Sequence, residues 1–197
     1  MTSANSALQS VLNEIDTLNK QDPNQENFNG EWVAKEWLYG VRMSERLQQF
    51  QPDADEVLQI AARAQHVQRW VIPRSDYPMD KSGYKKWRLE LGKFHAETAA
   101  KLMQKYGYSS ADTDKVEILL TKRNLKRDEQ VQALEDVICL VFIEHYLEPF
   151  AEKHSEEKLI DIIRKTWNKM SEKGHQAALT IPLKAHLSEL VGKALAE

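Results

Sequence analysis

The sequence predicts an all-α protein, a single-domain helical bundle, and three observations carry that reading. Glycine and proline are sparse, at seven and six in 197 residues. No stretch alternates apolar and polar residues convincingly over the length of a strand. Apolar residues instead recur three and four apart, as in Leu8, Val11, Leu12, Ile15 and Leu18, which share one stripe of a helix.

That stripe defines a first helix over about 4–19, and the polar stretch QDPNQENFNG then breaks it. A second helix over about 33–50 carries Trp37, Val41 and Leu47 and ends before Pro52. Asp53 is placed to cap a third, which runs through Val57, Leu58 and Ile60 to His66 and Trp70. Pro73 and Pro78 keep 71–81 out of the helix and stiffen it. The next helix carries His95 and closes at Gly107, a C-cap glycine. Ser110 or Asp112 opens a short helix with Val116, Ile118, Leu119 and Leu120, followed by the basic run TKRNLKRD. Asp128 caps a helix over about 128–153 that is apolar around nearly its whole circumference, as expected in the middle of a domain. Ser155 starts a helix with Leu159, Ile163, Trp167 and Met170, and two short helices close the chain, the last entered through Pro182. The expected division is a core over about 33–153 with helices over 155–196 packed on it.

Charged residues make up 29% of the chain, hydrophobic ones 42%, and the net charge is −3. Such a balance suits a folded globular protein and gives no global attraction to nucleic acid or anionic lipid, so neither is an expected partner. No apolar run is long enough to span a bilayer, and MTSANSALQS lacks the charged start and apolar centre of a signal peptide, so a cytoplasmic location is expected. Cys139, the one cysteine, excludes a disulfide framework and a cysteine metal site.

Candidate chemistry gathers between residues 61 and 97. Ala62, His66 and Arg69 fall on one helical stripe, with Arg63 and Trp70 beside it. Tyr84, Arg88, Leu91, His95, Ala99 and Leu102 share a second, mostly apolar stripe. A third chemical group is Asp136, on a stripe with Gln132, Leu140 and Ile143; a buried carboxylate there needs a cation, a metal or hydrogen-bond donors. The bases Arg63, Arg69, Arg74, Lys85, Arg88, Lys122, Lys126, Arg127 and Lys165 spread over the surrounding segments, and arginine forks suit phosphate oxygens.

The order of AARAQHV, FHAE and LEDVICLVF resembles the HD-domain superfamily, an all-helical fold in which histidines and aspartates from successive helices hold divalent metals. The likeness covers roughly residues 37–150. It departs from the superfamily's pattern twice: Val67 follows His66 where that pattern has aspartate, and no histidine precedes His66. What the resemblance implies is a divergent HD-like fold in which His66, His95 and Asp136 hold one divalent ion (Mn, Mg, Fe or Ni) carrying the attacking water. His66, Arg63 and Arg88 would then form the catalytic group, and Arg69, Arg74, Lys85, Lys122, Lys126 and Lys165 would bind the anion.

At closer range RAQHVQRW, IPRSDYP, GYKKWR, LEDVICLVF and IRKTWNKMS resemble an uncharacterised family filed as a domain of unknown function. That likeness spans most of the chain and brings no activity with it. The favoured expectation is a metal-dependent phosphohydrolase acting on a small phosphorylated or nucleotide substrate. Two alternatives stand beside it: an inactive HD-like sensor that binds a nucleotide or other anion, and a helical protein-interaction domain.

Overall fold

The structure, a computed structural model, describes residues 6–196. Among them are ten α-helices and one two-stranded hairpin, an all-α architecture. None of these helices is long and apolar enough to cross a membrane.

The chain divides into two compact units, one up to Asn124 and one from Leu125 onward. The division falls within the basic run. Lys122, Asn124 and Lys126 all adopt left-handed backbone there, with φ of 55, 64 and 73°, so no helix continues through it.

In the first unit, α1 (Ala7–Asn19) is capped by Ser6, whose side chain accepts from Gln9 N; the start expected near Ala4 lies outside the described residues. The polar stretch does more than break the helix. It folds into β1 (Gln25–Phe28) and β2 (Glu31–Ala34), antiparallel, with Phe28 opposite Glu31. Asn29 and Gly30 turn the corner at φ of 54 and 89°, the left-handed pair that a two-residue hairpin demands. Because Val33 and Ala34 pair in β2, α2 (Lys35–Phe50) starts two residues later than periodicity suggests.

Asp55, not Asp53, caps α3 (Glu56–Ala64), accepting from Leu58 N at 2.9 Å. This helix stops short of His66. Gln68 takes φ 50°, and the chain continues in a 3₁₀ turn over Arg69–Val71. Asn19, itself buried, fixes the reversal: its Oδ1 accepts from Gln68 N at 2.9 Å. His66 and Arg69 therefore lie on a turn rather than on the helix expected to carry them.

Asp80 caps α4 (Lys81–Lys105), accepting from Gly83 N at 2.7 Å, and Gly83 is obligatory because a Cβ there would stand 2.0 Å from Pro78 O. The helix closes in a Schellman arrangement: Gly107, at φ 85°, donates to Gln104 O while Tyr108 N donates to Met103 O. A reciprocal box of Ser109 and Asp112 opens α5 (Ser110–Leu120). Val11, Ile15, Leu38, Met43, Leu47, Leu58, Ile60, Leu91, Met103 and Leu119 are buried in this unit.

The second unit begins with α6 (Glu129–Val141), capped by Asp128 as expected. The long apolar helix does not run on unbroken: a π turn over Phe142–Tyr146 precedes α7 (Leu147–Ala151). Ser155 caps α8 (Glu156–Trp167), Ser171 caps α9 (Glu172–Leu179), and α10 (Ala185–Leu195) ends the unit. Leu147, Leu159, Ile163, Leu187, Leu190 and Ala194 make its core.

Candidate functional site

The first unit brings His66 and His95 together, their rings 6.2 Å apart between centroids and tilted by 40°. The turn after α3 supplies His66, and α4 supplies His95. Tyr39 of α2 stacks on the His66 ring at 3.9 Å and 13°. One turn earlier on α2, Glu36 sets Oε2 3.1 Å from His66 Nδ1. On the other side Arg69 places a guanidinium NH1 2.7 Å from His66 Nε2.

These contacts fix the proton. The Glu36 carboxylate only accepts, so Nδ1 carries the hydrogen and Nε2 the lone pair, with Arg69 NH1 3.3 Å from Nδ1 as well as 2.7 Å from Nε2. His66 is thus a neutral imidazole between a partly buried cation and a buried anion. Burial, then the charges of Arg69, Arg88, Lys122 and Lys35, hold its pKa well below the usual histidine value. Glu36 is pushed up by burial, with Arg69 opposing. Arg69 in turn lies 5.0 Å over the Trp87 ring, and Trp87 Nε1 donates to Ile72 O.

His95 is oriented in the same manner. Its Nδ1 lies 2.8 Å from Val67 O, and since a carbonyl only accepts, Nδ1 carries the hydrogen and Nε2 the lone pair. Burial, with the neighbouring His66, depresses its pKa to about 3.

Beside this pair a cavity of about 260 Å³ opens, and its polar lining is Gln65, Arg88, His95, Thr121 and Lys122. Leucines at 89, 91 and 120 complete the wall with Gly92, where α4 passes α5 so closely that a Cβ would meet Leu120 O at 3.3 Å. Among the described residues no carboxylate lines it. Arg88 has no ionic or hydrogen-bonding partner among the described residues. Lys122 sits at the wall on left-handed backbone.

The remaining residues expected at a site are engaged elsewhere or exposed. Arg63 grips Asp16 in a two-pronged ion pair, Nε to Oδ1 at 2.7 Å and NH2 to Oδ2 at 2.6 Å, and its NH1 donates to Gly40 O. Arg74 donates to Tyr77 O and Asp80 O, bracing the proline loop. Lys85 is exposed. In the second unit Lys126 donates to Met170 O and Lys165 pairs with Asp161.

Asp136 also lies in the second unit and is satisfied within it. Its Oδ1 accepts from Ser171 N at 2.8 Å and Gln132 Nε2 at 3.1 Å, and its Oδ2 accepts from the Ser171 hydroxyl. Ser171 is the α9 cap, so this carboxylate secures a helix start. Gly174 leaves it room, because a Cβ there would stand 2.6 Å from Oδ1.

A metal does not fit these donors. His66 Nε2 faces a guanidinium, both Asp136 oxygens accept protein donors, and only His95 Nε2 is left over. Among the described residues no group of three His, Cys, Asp or Glu side chains is placed to hold a metal ion. Sequence reasoning missed Glu36, Tyr39 and Gln65. Glu36 had a signal: it shares the buried stripe of α2 with Tyr39, Gly40, Met43 and Leu47.

Fold and site together define a helical protein with a neutral, charge-bridging histidine and a basic pocket. Over residues 9–191 the chain matches a family described as "Domain of unknown function (DUF4202)", and it belongs to that family. No curated protein and no solved structure matches the chain. The HD-domain likeness rests on the order of His66, His95 and Asp136 alone.

Proposed function

We propose that the chain is a binding module for a small phosphorylated or otherwise multiply charged anion, held in the pocket beside His95. The observation that carries this reading is the lining itself: two cations, Arg88 and Lys122, and no carboxylate. A cavity of about 260 Å³ lies just under the range of roughly 300 Å³ upward that drug-sized ligands fill, so the occupant is compact. Phosphate oxygens accept from a guanidinium fork in two-pronged fashion, and an ammonium adds a second point charge.

The sensor reading is preferred to the metal-dependent hydrolase because, of the three residues assigned to a metal, Asp136 has both oxygens engaged by protein donors and His66 Nε2 is covered by Arg69, which leaves His95 Nε2 alone. His66 does not serve as a base while Arg69 covers Nε2. Binding in the pocket needs neither. Calorimetric titration with inorganic phosphate, pyrophosphate and a nucleoside monophosphate tests the reading. At least one is expected to bind, with affinity falling at least about tenfold in Arg88→Ala and falling with added salt. Affinity is expected to be the same with and without a chelator. No binding by any of the three, or equal affinity in Arg88→Ala, defeats it.

A further inference from the structure

Resting on the anion-binding reading, we infer that the pocket selects an oxyanion that keeps an acidic hydrogen, namely hydrogen phosphate, and that His95 Nε2 accepts that hydrogen. Arg88 donates to the oxygens of any such anion. His95 does the reverse.

Its role is set by the contact on the other side of the ring. His95 is 3% exposed and lines the cavity together with Arg88. Its Nδ1 lies 2.8 Å from Val67 O, which only accepts, so Nδ1 carries the hydrogen and the nitrogen left for a ligand is Nε2 with its lone pair. No described residue hydrogen-bonds Nε2. Turning the tautomer over would face the Nδ1 lone pair to the Val67 carbonyl and leave a buried acceptor unmade. Protonating the ring is opposed by its surroundings, because burial and the neighbouring His66 hold its pKa to about 3. Of the charged groups facing it, Arg69 pushes the same way and Glu36 the other.

Tetrahedral oxyanions divide on this feature. At about pH 8 inorganic phosphate is mostly a dianion with one O–H, whereas sulfate and a phosphate monoester, whose second pKa is about 6, are dianions with none. All three offer Arg88 the same kind of oxygen and much the same charge. Only hydrogen phosphate also brings a hydrogen to His95; the other two set an oxygen lone pair against Nε2. A site built to hydrogen-bond a donor rejects the analogue that lacks it, since its own buried group is then left unpaired.

Calorimetric titration of the unaltered protein with inorganic phosphate, sulfate and methyl phosphate at about pH 8 tests the inference. Phosphate is expected to bind at least about tenfold tighter than either of the others. In His95→Leu, checked for its fold by circular dichroism, that preference is expected to shrink. A preference undiminished in the folded variant means that another group reads the hydrogen and overturns the assignment to His95; where the variant does not fold, the comparison on the unaltered protein decides. Sulfate or methyl phosphate binding as tightly as phosphate overturns the O–H requirement, and loss of that binding in Arg88→Ala leaves the anion site standing. Failure of all three, and of pyrophosphate and a nucleoside monophosphate, to bind overturns both.

Discussion

Two arginines that look alike in the sequence sit in opposite surroundings. Arg63 is held by both oxygens of Asp16, with both side chains only partly exposed, whereas Arg88 reaches a pocket that has no acid. Arg63→Ala leaves the Asp16 carboxylate without its cation and is expected to cost about 1–3 kcal/mol in urea denaturation, below the range for a fully buried pair because water still reaches it. Arg88→Ala is expected to stay within about 0.5 kcal/mol of the unaltered protein, as surface changes usually do, while losing the ligand. Equal stability losses in the two variants would contradict this division. The histidines give a pH dependence with a definite sign. Both folded pKa values lie below 6.5, so the unfolded chain binds more protons and stability falls as pH drops below about 6.5, for His95 down to about 3. Glu36, raised by burial, acts in the opposite sense, taking up a proton in the folded state above its unfolded value of 4.5. The loss of stability between pH 6.5 and 4.5 is therefore expected to be steeper in Glu36→Gln, which keeps an acceptor for His66 Nδ1. A shallower slope in that variant would show that the imidazoles are not neutral.

At the scale of elements, the turn after α3 decides where the site forms. Asn19, the last residue of α1, accepts from Gln68 N through Oδ1 and donates to Glu36 O through Nδ2 at 3.4 Å. One buried amide thus ties the end of α1, the start of α2 and the turn that bears His66. Asn19→Leu keeps the volume and removes both bonds, leaving a buried N–H and C=O unmade. It is expected to cost about 2–4 kcal/mol and to raise hydrogen exchange at Gln68 before the helices open. Unchanged exchange there would mean the turn holds itself. A glycine shows the same dependence on close packing: Gly83→Ala would drive a methyl into Pro78 O, so either the proline loop or the first turn of α4 must shift.

Across the whole molecule, each unit has a core of its own, and every residue lining the pocket belongs to the first unit. Leu159→Ala, a cavity in the core of the second unit, is expected to cost about 2–4 kcal/mol while leaving phosphate affinity at 25 °C unchanged. The sequence by itself determined what depends on near neighbours along the chain. Helical periodicity set the class, Asp128 and Ser155 capped the helices they precede, Gly107 ended α4, and Arg88 shared a face with His95 two turns on. The Asn29–Gly30 hairpin was written there too, but its strands are four residues each and mostly exposed, too short for an alternating pattern to stand out. Only the tertiary structure decided the partners of the charged groups. Asp16 lies 47 residues from Arg63, Glu36 30 from His66, and Asp136 35 from Ser171. Which buried charge meets which donor depends on how helices pass one another, because a Coulomb or hydrogen-bond contact is governed by distance in space, and periodicity along a single helix carries no information about that distance.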